Sequence, residues 1–426
     1  MTEKRDWKAR FFTIWTGQQL SLVGSAAAQF ALIWWLTLET GSATVLATAS
    51  LVAFLPGILL GPFVGALVDR WNRRVTLILS DSFIALVSLW LAYMFWVGAM
   101  QPWHIYIVML ARSLGGTFHG PAMGASTTLM VPAKHYTRIS GLNQTIQGAL
   151  NIIGAPLGAL LLALLPLHGV MLVDLATAAF AVLPLLVLSV PQPPHEHIAA
   201  IKARTFLSNA MEGLRFVAGW PGLLALLAVA SIIKIALMPA FSLAPLLVYQ
   251  HFGGDAAQLS LFEAIVGMGM MLGGLVLGVW GGFKRKVFTM LLGLLVLGVA
   301  SIVLGLTPAT LFWLGLVSVF FVGVALSLVD APVNALLQAT VPAEMQGRVF
   351  GLLGSLFSFT TPIGLMIAGP VADITGVPFM FLIAGALCTA AAVVSLFIRP
   401  LLHIDEQKSE VNGTAHPEPA TSPTGE

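Results

Sequence analysis

Six ionisable side chains stand inside long apolar stretches of the chain: Asp81, Arg112, Asp174, Lys234, Glu263 and Asp330. A charge placed at the centre of a bilayer costs about 3 kcal/mol or more unless it faces a cavity, water or a partner, so each is a candidate for handling protons or charged cargo. A carboxylate in an apolar site binds its proton more tightly and can carry it from one compartment to another. Asp330 and Glu263 rank first as proton carriers, with Lys234 as a charge partner or substrate contact, and Asp81 and Asp174 follow. Arg112 lies near the middle of its stretch, where it either forms a structural ion pair or serves the site. Glu263 and Asp174 are expected in the outer third of their spans and Asp330 in the inner third.

Polar residues recur at helical spacing on three stretches: Gln18, Ser21, Ser25 and Gln29; Asn143, Gln147 and Asn151; Asp330, Asn334 and Gln338. One helix face carries each set, and in a membrane that face must look onto protein or water, so the stripes either line a cavity or tie helices together. Enzymatic chemistry finds no support. His195 and His197 lack a cysteine or acidic cluster at metal-ligand spacing, and the sequence holds no phosphate-cradling glycine loop and no Gly-x-Ser-x-Gly nucleophile turn. The single cysteine, Cys388, excludes an intramolecular disulfide framework. No cofactor, metal or ATP-driven step is expected.

The elements that position these residues are membrane spans. Of 426 residues, 58% are apolar and 9% charged, against about 25% charged in a soluble domain. A spanning helix needs about 20 apolar residues, and the chain offers twelve stretches, near 11–38, 43–68, 75–98, 103–130, 139–164, 168–190, 221–248, 257–280, 287–306, 310–340, 349–372 and 376–399. The first outlasts a secretory signal and is read as a span. Apart from Arg112 and Lys234, every Lys and Arg falls in one alternating set of the gaps, beginning with Lys4, Arg5, Lys8 and Arg10 and continuing with Arg70, Arg73 and Arg74 and with Lys134 and Arg138. Basic gaps stay in the cytoplasm, so both termini are expected there. The turns on the other side, including Asp373 to Gly376, are too short for a folded domain. The basic residues are topology determinants and not a nucleic-acid footprint.

The expected organisation is an all-α membrane protein of two pseudo-symmetric six-helix bundles, residues 1–190 and 221–400. A cytoplasmic linker, 191–220, carries an amphipathic helix from Thr205 to Trp220 with Leu207, Met211, Leu214 and Val217 on one face. A polar tail, 401–426, is expected to be disordered. The halves repeat one another: Gly120-Pro121, Val131-Pro132-Ala133, Arg138 and Gly141 correspond to Ala331-Pro332, Val341-Pro342-Ala343, Arg348 and Gly351. The same repeat matches His119 to Asp330. Two repeated halves suit a transporter with a site between them near the midplane.

The turn Gly65-Ala66-Leu67-Val68-Asp69-Arg70-Trp71-Asn72-Arg73-Arg74 resembles the signature turn of the major facilitator superfamily, with Asn72 where the family usually has Gly. In that turn an Asp at a helix end binds the N-terminus of a neighbouring helix, and Gly65, Asp69, Arg70, Arg73 and Arg74 are its gating residues here. The alternative is a set of plain basic anchors. The second-half turn, Gly281-Gly282-Phe283-Lys284-Arg285-Lys286, lacks the Asp, so a lock there is expected to be weaker. Arg112 resembles the family's fourth-span Arg, which is tied to proton coupling, and Gly154-Ala155-Pro156-Leu157-Gly158 is similar to its antiporter motif.

The stretch Phe118-His119-Gly120-Pro121-Ala122 with Ser140-Gly141-Leu142-Asn143-Gln144 looks like the macrolide-efflux and siderophore-exporter branch of that superfamily. The resemblance covers residues 10–400 and implies proton-coupled efflux of small amphipathic molecules across a bacterial inner membrane, by a protein working as a monomer. Three alternatives remain: a siderophore exporter, for which Arg112 and Lys234 would meet anionic cargo; a lysophospholipid transporter; and a transporter-like scaffold or receptor without flux, against which the retained buried charges argue.

Overall fold

The computed structural model describes residues 7–192, 211, 215, 217–341 and 343–404, excepting the side chains at 62, 66, 69, 339–340, 343–348, 350–353 and 355–358. Twelve long helices run through these residues: α1 Trp7–Thr40, α2 Ala43–Arg70, α3 Arg73–Trp96, α4 Pro102–Met130, α5 Tyr136–Leu164 and α6 Leu167–Val187. After the linker come α7 Pro221–Ser242, α8 Ala256–Trp280, α9 Lys286–Leu306, α10 Phe312–Thr340, α11 Ala343–Thr375 and α12 Val377–Ser395. Among the described residues, ten of the twelve are long and apolar enough to cross a membrane. The other two are α4 and α11. In α4 the apolar run is broken by Arg112 and His119, whereas in α11 most of the first half lies among the side chains not described, and its sequence from 349 to 372 carries no charge.

Local chemistry sets the ends. Ser42 and Asn72 accept from the backbone N–H of Val45 and Val75, capping α2 and α3; Asn72 thus has a capping role where the family has Gly. Asp255 and Gln258 close a capping box on α8, and Gly281 and Gly282, both at φ 78°, end it in the left-handed region that only Gly enters freely. The seventh apolar stretch departs from the sequence expectation. It reads as one span to 248, but α7 stops at Ser242, a one-turn helix covers Ala244–Leu246 and a π-helical turn covers Leu247–His251. Pro239 and Pro245 remove two backbone donors, so the regular ladder cannot continue. Of the linker helix only Met211, Arg215 and the run from Val217 are described, and the tail beyond Ile404 lies outside the described residues.

In the first half, α1 packs on α5 and α6, α3 on α4 and α6, and α2 on α4. In the second, α7 packs on α11 and α12, α9 on α10 and α12, and α8 on α10. Small residues permit this closeness, as membrane helices require. A Cβ at Gly158 would lie 2.8 Å from the Phe30 side chain and 2.9 Å from the Ala27 carbonyl, so the motif around Pro156 seats α5 against α1.

The halves meet through α2 with α11 and α5 with α8. Their contacts run from mid-helix to the end remote from Arg70, Arg73 and Arg74, here the far end as opposed to the basic end. At mid-helix the backbone of Gly267 abuts Asn151 and Ile152, leaving 3.2 Å or less for a Cβ. Near the far end Gly369 crosses Thr44 and Ala47, and Trp34 meets Tyr249 edge to face at 5.9 Å. At the tip the Asp373 carboxylate accepts from Ala43 N–H at 2.6 Å, Thr44 N–H at 3.1 Å and the Ser42 hydroxyl at 3.1 Å. Gln250 Nε2 donates to the Gly41 carbonyl at 2.6 Å. Toward the basic end the facing surfaces stand apart: Gly65, Gly141, Gly148 and Gly278 have open space where a Cβ would go.

Candidate functional site

The ionisable residues of the first bundle form two closed clusters. In one, Arg112 Nη1 on α4 lies 2.6 Å from Asp174 Oδ2 on α6 and donates to the Ser88 hydroxyl on α3 at 3.0 Å. Ser88 donates to the same Asp174 oxygen at 2.6 Å, and Ser25 on α1 donates to Asp174 Oδ1 at 2.9 Å. Asp174 is 1% exposed. Four helices meet at this pair, and both carboxylate oxygens have partners, which is the condition under which a buried ion pair survives its desolvation cost.

The second cluster lies closer to the basic end. Gln18 Nε2 donates to Asp81 Oδ2 at 2.8 Å, and His119 Nε2 lies 2.8 Å from Gln18 Oε1 and 3.3 Å from Asp81 Oδ1. Both neighbours of His119 Nε2 are acceptors, so that nitrogen carries the hydrogen. His119, matched to Asp330 by the repeat, is thus engaged within its own bundle, by α1 and α3.

The polar stripe of α1 is taken up between helices: Gln18 and Ser25 as above, and Gln29 donating to Met109 Sδ at 3.3 Å. The stripe of α5 behaves differently. Asn143 accepts from Trp15 Nε1 at 2.7 Å, yet Asn143, Gln147 and Asn151 are all exposed on the face that looks across to the other bundle.

In the second bundle the charges stand apart. A cavity of about 410 Å³ between α7, α9, α10 and α11 is lined by apolar side chains including Ile233, Leu237, Met290 and Val329, and among them by Lys234, Asp330 and Asn334. Asp330 is exposed and Lys234 half-buried; Lys234 is near enough to act electrostatically on Asp330, and among the described residues no hydrogen bond or ion pair closes on either side chain. Asn334 donates to the Asp330 backbone carbonyl at 2.9 Å, and Gln338 continues the exposed stripe. Glu263, half-buried on α8 one turn from the Gly267 crossing, likewise has no hydrogen-bond partner among the described residues.

The signature turn ties three helices of the first bundle at the basic end. Arg73 Nη1 donates to the Ala125 carbonyl on α4 at 2.8 Å, while Arg74 Nε and Nη2 donate to the Leu185 and Leu186 carbonyls in the last turn of α6 at 2.5 and 2.7 Å. A cation on the carbonyl end of a helix is favourably placed. Arg70 is exposed, Gly65 faces open space, and Asp69 stands in the last turn of α2 with its side chain outside the described ones.

The sequence pattern of the family described as transmembrane secretion effector, a branch of the major facilitator superfamily, matches residues 7–422. The chain belongs to this family. Among its relatives, macrolide efflux protein A of Streptococcus pyogenes is 33% identical over 405 residues, covering 95% of this chain and 100% of the relative. The multidrug efflux pump Tap of Mycolicibacterium fortuitum is 27% identical over 380 residues, 87% of this chain and 91% of the pump. The crystal structure of a nucleoside transporter, NupG, superposes with a TM-score of 0.71 at 12% identity, covering 91% of this chain and all of the transporter, which shows the fold. This member of the superfamily is therefore a multi-pass membrane transporter of small molecules and not an enzyme.

Asp373 was not among the residues singled out from sequence. A signal existed: an acidic residue in the last turn of its own helix opposes that helix's dipole, so it is out of place unless it serves another element.

Proposed function

We propose that the protein is a proton-coupled exporter of amphipathic small molecules, macrolide-like compounds among them, working by alternating access across the bacterial inner membrane. Its relatives of known function, macrolide efflux protein A and the Tap pump, support efflux as the direction. The basic turns support cytoplasmic termini, so the basic end faces the cytoplasm and the open side of the molecule faces inward. The two six-helix bundles work as the rocking bodies of one monomer, with residues 191–220 as the linker between them.

The observation that carries the reading is the pair Lys234 and Asp330 in an apolar cavity, without direct partners among the described residues. An ionised Asp330 attracts a cationic amine on an amphipathic compound, and a proton arriving at the same carboxylate removes that attraction. Competition of proton and cargo for one carboxylate yields exchange, because each transit carries one or the other. Glu263, nearer the far end and without a hydrogen bond among the described residues, suits the entry of the proton from outside. Arg112 supports anionic cargo poorly, since Asp174, Ser88 and Ser25 take up its surroundings, so the exporter of anionic siderophores is the weaker alternative.

The test is uphill efflux of a macrolide from purified protein in vesicles under an imposed pH gradient. Asp330→Asn is expected to abolish uphill efflux while downhill exchange continues, and Glu263→Gln to slow it. Full uphill efflux in both variants would remove these carboxylates from coupling and move attention to Asp81.

A further inference from the structure

α2 and α11 run in opposite directions, and each ends in a turn holding an aspartate, Asp69 in α2 and Asp373 in α11. A carboxylate at the C-terminal end of its own helix is disfavoured by that helix's dipole and favoured at the N-terminal end of another. The signature turn assigns Asp69 such a service at the basic end, where α11 begins. At the far end the geometry is explicit. The first turn of α2 has free N–H groups at Ala43, Thr44 and Val45; Ser42 takes the third, and the two oxygens of Asp373, more than three hundred positions away, take the first two. The Ser42 hydroxyl, while capping α2, donates its own hydrogen to Asp373. Beside it, Gln250 from the π-helical turn holds the Gly41 carbonyl.

We propose that Asp373, assisted by Gln250, is the outer latch of the transport cycle: it grips the α1–α2 turn from the opposite bundle and holds the far end shut while the basic end is open. The N-terminus of α2 is fully capped only when the bundles are together, so opening the far end exchanges three charge-assisted contacts for water. Release of this latch accompanies closure at the basic end, and the same antiparallel helix pair serves both ends with its polarity exchanged. Burial pulls the Asp373 carboxyl upward, but hydrogen bonds from Thr44, Ala43 and Ser42 outweigh this and leave it below the ordinary 3.8, so the latch is charged when made. Asp373 sits in the exposed last turn of α11, beyond its apolar stretch, where an unlatched carboxylate would be solvated.

The consequence for flux rests on the alternating-access reading, but the latch is read without cargo. Nitroxide labels at Ala99→Cys and Thr310→Cys, both exposed at the far end and one on each bundle, report far-end opening by pulsed electron-spin distances in a Cys388→Ala background. The parent is expected to give mainly the short distance. Asp373→Ala is expected to raise the ratio of open to closed molecules about fivefold, the effect of losing one good helix cap. Asp373→Asn, which offers a single acceptor oxygen, should fall between the two, and Gln250→Ala should shift the ratio less than Asp373→Ala. Should Asp373→Ala fail to fold, the Asn and Gln250 variants carry the test. Distance distributions equal to the parent's in all the folded variants would overturn the latch, whatever the outcome for macrolide efflux; a shifted distribution without macrolide flux would keep the latch and remove the cargo assignment.

Discussion

The two bundles hold their charges in opposite ways. In the first, Arg112, Asp174, Asp81 and His119 are fastened to one another and to Ser25, Ser88 and Gln18, and three or four helices converge on each cluster. In the second, Lys234 and Asp330 lie beside a cavity, and among the described residues no direct bond closes on them or on Glu263. All seven are costly residues for a membrane interior, so the cost alone says nothing about their work. What separates them is saturation. A charge whose every lone pair or hydrogen is taken up has become part of the frame, whereas a charge with vacant bonding capacity can meet something that comes and goes. The first bundle accordingly reads as a stiff body, and the proposed function assigns proton and cargo to the second.

The contrast can be broken by measuring stability and flux on the same variants. Arg112→Ala leaves Asp174 buried and uncompensated and is expected to cost about 3–5 kcal/mol, seen as loss of folded, monodisperse protein. The double variant Arg112→Met/Asp174→Leu should recover most of that stability. If Arg112→Ala instead melts like the parent but no longer transports, the stiff-frame reading of the first bundle is wrong.

A smaller effect is expected for Asp81→Asn, about 1–3 kcal/mol, because one oxygen still accepts while the other contact turns from acceptor to donor. Thermal unfolding in detergent measures it; a shift as small as for a surface change would take Asp81 out of the frame and make it a rival proton carrier.

Smallest in stability is Lys234→Met, expected within about 0.5 kcal/mol, as for sites outside any bonding network. Its effect should appear in flux, as a raised substrate concentration for half-maximal efflux and an altered pH dependence through its neighbour Asp330. A large stability loss would mean that Lys234 is fastened after all, and the contrast between the bundles would narrow to Asp330 and Glu263.

Much of the frame was legible because membranes impose strong rules. Spans follow from apolar length, so the twelve helices lie close to the expected stretches, and the break after Ser242 is traceable to Pro239 and Pro245. The ionisable candidates were also legible, since few charges survive in such segments. Their partners were not. Whether Arg112 meets Asp174 or a cavity depends on the rotation of α4 against α6, which no local pattern encodes. His119 illustrates the point: the repeat matches it to Asp330, but contact is decided within the bundle, where Gln18 and Asp81 face it. Asp373 was passed over because it sits in a short turn outside the apolar stretches, and its meaning lies in a helix end more than three hundred positions away.

The crossing at Gly267 gives the molecule a bearing. There a Cβ on α8 would lie 2.8 Å from the Ile152 side chain and 3.2 Å from the Asn151 carbonyl oxygen of α5, so the two helices come close together here, and on the alternating-access reading this approach is the pivot. From this point the rest of α8 toward Ala256 forms a lever arm of about 16 Å at 1.5 Å per residue, and the arm toward Trp280 is of similar length. A tilt of a few degrees about the fulcrum is magnified at both rims at once and in opposite senses. Bulk added at Gly267 would therefore seize the hinge without touching a single charged residue.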